Sequence, residues 1–82
     1  MTQHQRLKLG QRLAELRQAR GLTQGDVAAR IGWDTPGPVC RIEQGLRQRV
    51  TRRDVLAYLG AVGSEDATVR GELIGIWREL KR

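Results

Sequence analysis

Apolar residues recur at three- and four-residue intervals along most of the chain, and the period-two alternation of a half-buried strand is nearly absent. The spacing predicts a first helix over residues 5–20, with Leu9, Leu13 and Leu16 on one stripe. Arg6, Arg12, Glu15 and Arg17 fall largely off that stripe, and Gly21 supplies the stop. Thr23 reads as the N-cap of a second helix, with Asp26 three residues on in the place a capping box gives to glutamate. Val27, Ala28 and Ile31 form its apolar face and Gly32 ends it. Thr35-Pro36 marks the start of a short third helix. Proline suits the first helical position and forces its predecessor out of the helical region, and Pro38 then falls at the third position, where no intrahelical donor is needed. Val39 and Ile42 are its apolar positions and Gly45 its end. A fourth helix is expected from Thr51, with Asp54 three residues on, Val55, Leu56 and Leu59 inward, and Gly60 and Gly63 closing it. Ser64, Glu65 and Asp66 make an acidic start to a fifth, whose stripe is Val69, Leu73, Ile76 and Leu80. Gly71 and Gly75 inside it cost about 1 kcal/mol each against alanine. The expected fold class is all-α, five short helices in one bundle, with no internal repeat, linker or low-complexity stretch.

Composition narrows this picture. Eighty-two residues fit a single domain, 1–82, with a small core. The aromatics are Trp33, Trp77 and Tyr58 with no phenylalanine, so the core must come from Leu, Ile, Val and Ala. Fifteen Lys and Arg against nine Asp and Glu leave +6, and thirteen of the fifteen cations are arginine. Such a small basic domain favours a polyanionic partner, nucleic acid first and an anionic membrane second. A lone cysteine, Cys40, makes no intramolecular disulfide, and with the single His4 it builds no structural zinc site. The N-terminus lacks the apolar stretch of a signal peptide, and no apolar run approaches membrane-spanning length. The expectation is a soluble, cytoplasmic protein without metal or cofactor. No nucleophile-base pair, paired carboxylate or phosphate loop has the needed residue types, so no enzymatic activity is expected.

The informative stretch runs from Leu22 to Gly32 and from Val39 to Gly45. Two short capped helices joined by a tight glycine-containing turn suit a helix-turn-helix. Here the sequence resembles the XRE family, the Cro and lambda-repressor type of helix-turn-helix DNA-binding domain. The matching pieces are Leu22-Thr23-Gln24, Ala28, Ile31-Gly32 and Arg41-Ile42-Glu43-Gln44-Gly45, followed by an arginine-rich loop and Thr51-Arg52-Arg53-Asp54-Val55-Leu56. The Gly32-Trp33 pair and the last segment are similar to a subgroup of actinobacterial regulators. The resemblance covers about residues 6–63 well and the last helix, about 65–81, loosely. It implies a five-helix lambda-repressor-like domain that binds duplex DNA, with helix three in the major groove and the following loop along the phosphates.

Two departures bear on that implication. The stretch between Gly32 and Arg41 is one residue longer than the usual form. Thr35-Pro36-Gly37-Pro38 also replaces the polar first turn of helix three, and proline and glycine offer no side-chain donors to base edges. Direct readout by this turn then rests on Thr35 and on apolar contact with thymine methyls. Residues 41–53 hold Arg41, Arg47, Arg49, Arg52 and Arg53 against only Glu43, a local +4 that suits phosphate oxygens. The resemblance thus points to Gln24, Thr35, Pro36, Gly37, Arg41, Gln44, Arg47, Arg49 and Arg52 as the DNA-binding residues. Gln24, Arg47, Arg49 and Arg52 are expected on phosphates, and Arg41 and Glu43 in a structural ion network. Cys40 reads as a small buried hydrophobe and Trp33 as a packing anchor between helices. Val69, Leu73, Ile76, Trp77 and Leu80 are the candidate homodimer interface, a stripe that equally suits packing on helix one. The alternative reading is a protein-interaction module, a regulatory or antitoxin-like partner, motivated by the Pro-Gly-Pro turn and by Trp77 on the last helix.

Overall fold

The computed structural model describes residues 3–64 and 66–80 and carries five helices among them, with no strand: α1 (Gln3–Ala19), α2 (Gln24–Ile31), α3 (Gly37–Glu43), α4 (Arg52–Ala61) and α5 (Ala67–Leu80). Local chemistry sets most of the boundaries. The Thr23 hydroxyl accepts from Asp26 N–H at 3.0 Å, and the Asp26 carboxylate accepts from Thr23 N–H at 2.9 Å, so the box closes reciprocally with aspartate. Thr51 and Asp54 repeat it at the head of α4. Asp66 caps α5, its carboxylate accepting from the N–H groups of Thr68 and Val69. Glu65 lies outside the described residues.

The first four helices all end on a left-handed glycine with the same paired closure. At α2, Gly32 N–H returns to the Ala29 carbonyl and Trp33 N–H to Ala28. At α3 the requirement is double. Gly45 has φ +71, and a Cβ there would stand 2.7 Å from the Leu7 nitrogen of α1.

The start of α3 and the end of α4 differ from the sequence expectation. The first ladder bond of α3 runs from Cys40 N–H to the Pro36 carbonyl, so Pro36 caps the helix, Gly37 is its first residue and Pro38 its second. Both prolines still sit where a missing N–H is harmless. Gly60 lies inside α4, and it is Gly63, φ +70, that closes the chain behind it.

The core gathers Leu9 and Leu13 of α1, Val27 and Ala28 of α2, Val39 and Ile42 of α3, Val55, Tyr58 and Leu59 of α4, and Leu73, Ile74 and Leu80 of α5. Helix α1 packs against α3 and α5, and α4 against α2 and α5, so α3 rests on α1 and α2. Leu16, Ile31, Leu56, Val69 and Ile76 pack half-buried at its margin. Two polar ties fasten α5. Arg12 holds Glu72 at 2.6 Å, and the Trp77 indole N–H donates to the Val50 carbonyl at 2.8 Å. Leu73 and Leu80 are spent in this packing, with 0% and 3% of their surface exposed. Neither is therefore available to a second copy while the fold is intact, and Val69, Ile76 and Trp77 are what remains of the expected dimer face.

Candidate nucleic-acid interface

The α2–turn–α3 unit is built around a carboxylate. Glu43, at the end of α3, has a side chain only 6% exposed and is reached from three other segments. Arg17 of α1 donates twice, Nε to Oε2 at 2.8 Å and Nη2 to Oε1 at 3.0 Å. The Gln24 amide of α2 donates to Oε1 at 3.0 Å, and the Tyr58 hydroxyl of α4 to Oε2 at 2.5 Å. Arg17 also donates through Nη1 to the Leu22 carbonyl, just before α2. Three helices are thus keyed to the C-terminal end of α3 by charge-assisted bonds. Sequence reasoning expected Arg41 and Glu43 together in a structural ion network. Arg17 takes the place of Arg41 in it, because Arg41 lies on the exposed side of α3 while Glu43 faces inward.

These contacts set the pH range of the fold. Burial pushes the Glu43 carboxyl up, but the hydrogen bonds from Arg17, Tyr58 and Gln24 outweigh it and hold it below the ordinary 4.5. Burial and the bond to that carboxylate raise the Tyr58 hydroxyl well above its ordinary 10.0. The Arg12 hydrogen bond likewise lowers Glu72. A depressed carboxyl contributes stability above its ordinary value and loses it as pH falls through the depressed one. A raised tyrosine contributes below its ordinary value and loses it as pH rises. Urea unfolding followed by circular dichroism is expected to give a steady midpoint between about pH 5 and pH 9. The midpoint falls below pH 4.5 and above pH 10.0, and Tyr58→Phe flattens the alkaline limb and, by withdrawing one of the bonds that hold the Glu43 carboxyl down, also makes the acid one shallower.

The expected DNA-binding residues divide into three groups. Thr35 and Pro36 are exposed at the N-terminal end of α3, beside a half-buried Gly37, and Arg41 is exposed in its last turn. Gln44, Arg49 and Arg52 are exposed along the loop that leads into α4, with Arg53 beside them. Gln24 and Arg47 are half-buried and engaged within the fold. One N–H of Gln24 is given to Glu43. The Arg47 guanidinium stacks 5.5 Å from the centre of the Trp33 ring, its Nη2 lies 3.7 Å from the Asp54 carboxylate, and its Nη1 is enclosed without an acceptor. Arg47 therefore joins the turn before α3 to the cap of α4. Trp33 is the packing anchor expected of it. Cys40 is half-buried and unbridged.

Other arginines serve as struts. Arg6 donates to the Gly45 carbonyl, Arg30 to Ala61 and Arg20 to Gly63. By contrast Arg41, Arg49, Arg52 and Arg53 have no hydrogen bond or ion pair among the described residues, nor do Arg70 and Arg78 on α5. Four of these six unengaged arginines thus lie on α3, its loop and the start of α4, where Glu43 is turned inward and Asp54 is taken by Thr51 and Arg47. Sequence reasoning missed Arg17 and Tyr58. The signal for Tyr58 was its place three residues from Val55 on the inward face of α4.

Two short helices, a glycine-closed turn and a cationic outer edge on the second of them define a helix-turn-helix. A family model described as a helix-turn-helix domain matches residues 8–73, from within α1 to within α5, and the chain belongs to that family. Comparison with curated proteins and with solved structures gives no match.

Proposed function

We propose that the protein binds duplex DNA as a transcriptional regulator of the XRE type, with α3 presented to the major groove and residues 44–53 along the phosphates. The observation that carries this reading is the placement of four of the six unengaged arginines among the described residues on the outer edge of the helix-turn-helix, where phosphate oxygens can be neutralised and counterions released. Arg49 and Arg52 are the phosphate contacts. Gln24 adds a weaker one through its second N–H, and Arg47 shapes the loop that carries Arg49. Binding as two copies on adjacent half-sites would draw on Val69, Ile76 and Trp77.

The test is fluorescence anisotropy of a labelled duplex from 50 to 200 mM salt. Replacing Arg49 and Arg52 together by alanine is expected to weaken binding to all sequences alike. The log–log salt slope should fall by about 1.8, near 0.9 for each phosphate released. An unchanged slope removes these residues from the interface. The alternative of a protein-docking module rested partly on Trp77, whose indole is turned onto the Val50 carbonyl within the fold. The Pro36-Gly37-Pro38 turn remains in its favour, and a chain that retains no duplex at any salt concentration would decide for it.

A further inference from the structure

The Pro36-Gly37-Pro38 turn removes side-chain donors from the part of α3 that reaches base edges in a helix-turn-helix, yet the structure supplies a replacement from one turn further on. Helical side chains lean toward the helix N-terminus, and Arg41 lies four residues after Gly37 on the same face. Its guanidinium folds back over Gly37. Nη1 stands 3.3 Å, and Cζ 4.0 Å, from the point a Cβ at residue 37 would occupy, and the Thr35 hydroxyl is 3.6 Å from the same point. The space a side chain would fill is therefore taken by a planar fork of donors. That fork has no partner in the fold, and it is flanked by a hydroxyl that both donates and accepts.

We propose that Arg41, positioned by the missing side chain of Gly37 and flanked by Thr35, reads a guanine on its major-groove edge. The proposal deepens the DNA-binding reading above and rests on it. Two parallel N–H donors match the O6 and N7 acceptors that guanine alone presents together in that groove. The remaining unengaged arginines of this region, Arg49, Arg52 and Arg53, follow α3 in the chain, which leaves Arg41 as the cation on the helix itself. Gly37 is then a specificity determinant, because a side chain larger than alanine's must displace the guanidinium, whereas a Cβ alone asks it to give by only a few tenths of an ångström.

The test is selection from a random-sequence duplex pool with the wild-type chain, Arg41→Gln and Gly37→Val. The wild type should enrich guanine at one position of each bound site. Arg41→Gln should lose that preference by roughly 10-fold or more while other positions keep theirs. Gly37→Val should lose it at the same position with Arg41 intact and with an unchanged thermal midpoint. If the valine variant does not fold, Gly37→Leu gives the same reading, since leucine is the better helix former and its side chain also occupies the place of the guanidinium. Equal weakening of all sequences by Arg41→Gln would make Arg41 a phosphate contact and overturn the proposal, as would full guanine preference in a folded Gly37 variant. Sequence-independent retention by the wild type overturns this assignment alone. Absence of any retained duplex overturns the DNA-binding reading with it.

Discussion

Replacing Glu43 by alanine is expected to lower stability by about 3–5 kcal/mol, the range for breaking one side of a buried ion pair. A domain of this size holds only about 4–12 kcal/mol in all, so the loss takes between about a quarter and the whole of its stability. The loss is large because one carboxylate satisfies Arg17, Gln24 and Tyr58 at once, and its removal strands a guanidinium that is only 12% exposed together with a buried hydroxyl. Glu43→Gln keeps an acceptor in the same place and should fall between the wild type and Glu43→Ala. Urea denaturation of the three chains orders them. A Glu43→Ala midpoint close to the wild-type value would mean that apolar packing alone holds α3 to its neighbours.

Gly10→Ala is expected to destabilise the protein by about 3 kcal/mol, at the upper end of the range for overpacking. Helix propensity alone gives the opposite sign, since alanine in mid-helix gains up to about 1 kcal/mol over glycine. Geometry decides. Gly10 is buried where α1 crosses the end of α3, and a Cβ would collide with the Ile42 carbonyl oxygen and stand 2.5 Å from that of Glu43. These are backbone atoms that no rotamer change can move, so α1 and α3 must separate and disturb the Arg17–Glu43 pair with them. Gly71→Ala is the internal control. Nothing lies within 4 Å of its Cβ on the exposed face of α5, so there the propensity gain should appear unopposed. Thermal unfolding of the two variants should move in opposite directions, and a stabilised Gly10→Ala would contradict the close crossing.

The contrast between those glycines shows which features a sequence can disclose. Capping residues act on their own neighbours, so Thr23 with Asp26 and Thr51 with Asp54 were legible as helix starts, as were the glycines that close α1, α2 and α3. The apolar stripes were legible for the same reason, down to Leu9, Leu13, Leu73 and Leu80. Contacts between distant segments leave no periodic trace. Arg17 reads as one more solvated cation off the stripe of α1, and only the fold brings it to Glu43, 26 residues away. Gly10 reads as a weak point in a helix, and only the crossing of α1 and α3 makes it necessary. The charge cluster at residues 41–53 could be located in the sequence. Which of its arginines are engaged could not, because the aromatic ring and carboxylate that hold Arg47 belong to the turn before α3 and to α4.

Both tryptophans of the chain touch the arginine-bearing loop, Trp33 through the guanidinium of Arg47 and Trp77 through the carbonyl of Val50. The indoles approach it from opposite ends of the sequence, one from the turn before α3 and one from the last turns of α5. With two tryptophans, one tyrosine and no phenylalanine, the near-ultraviolet spectrum of this protein is in effect the spectrum of that loop's surroundings. The molecule carries its own optical gauge at the surface proposed to meet DNA.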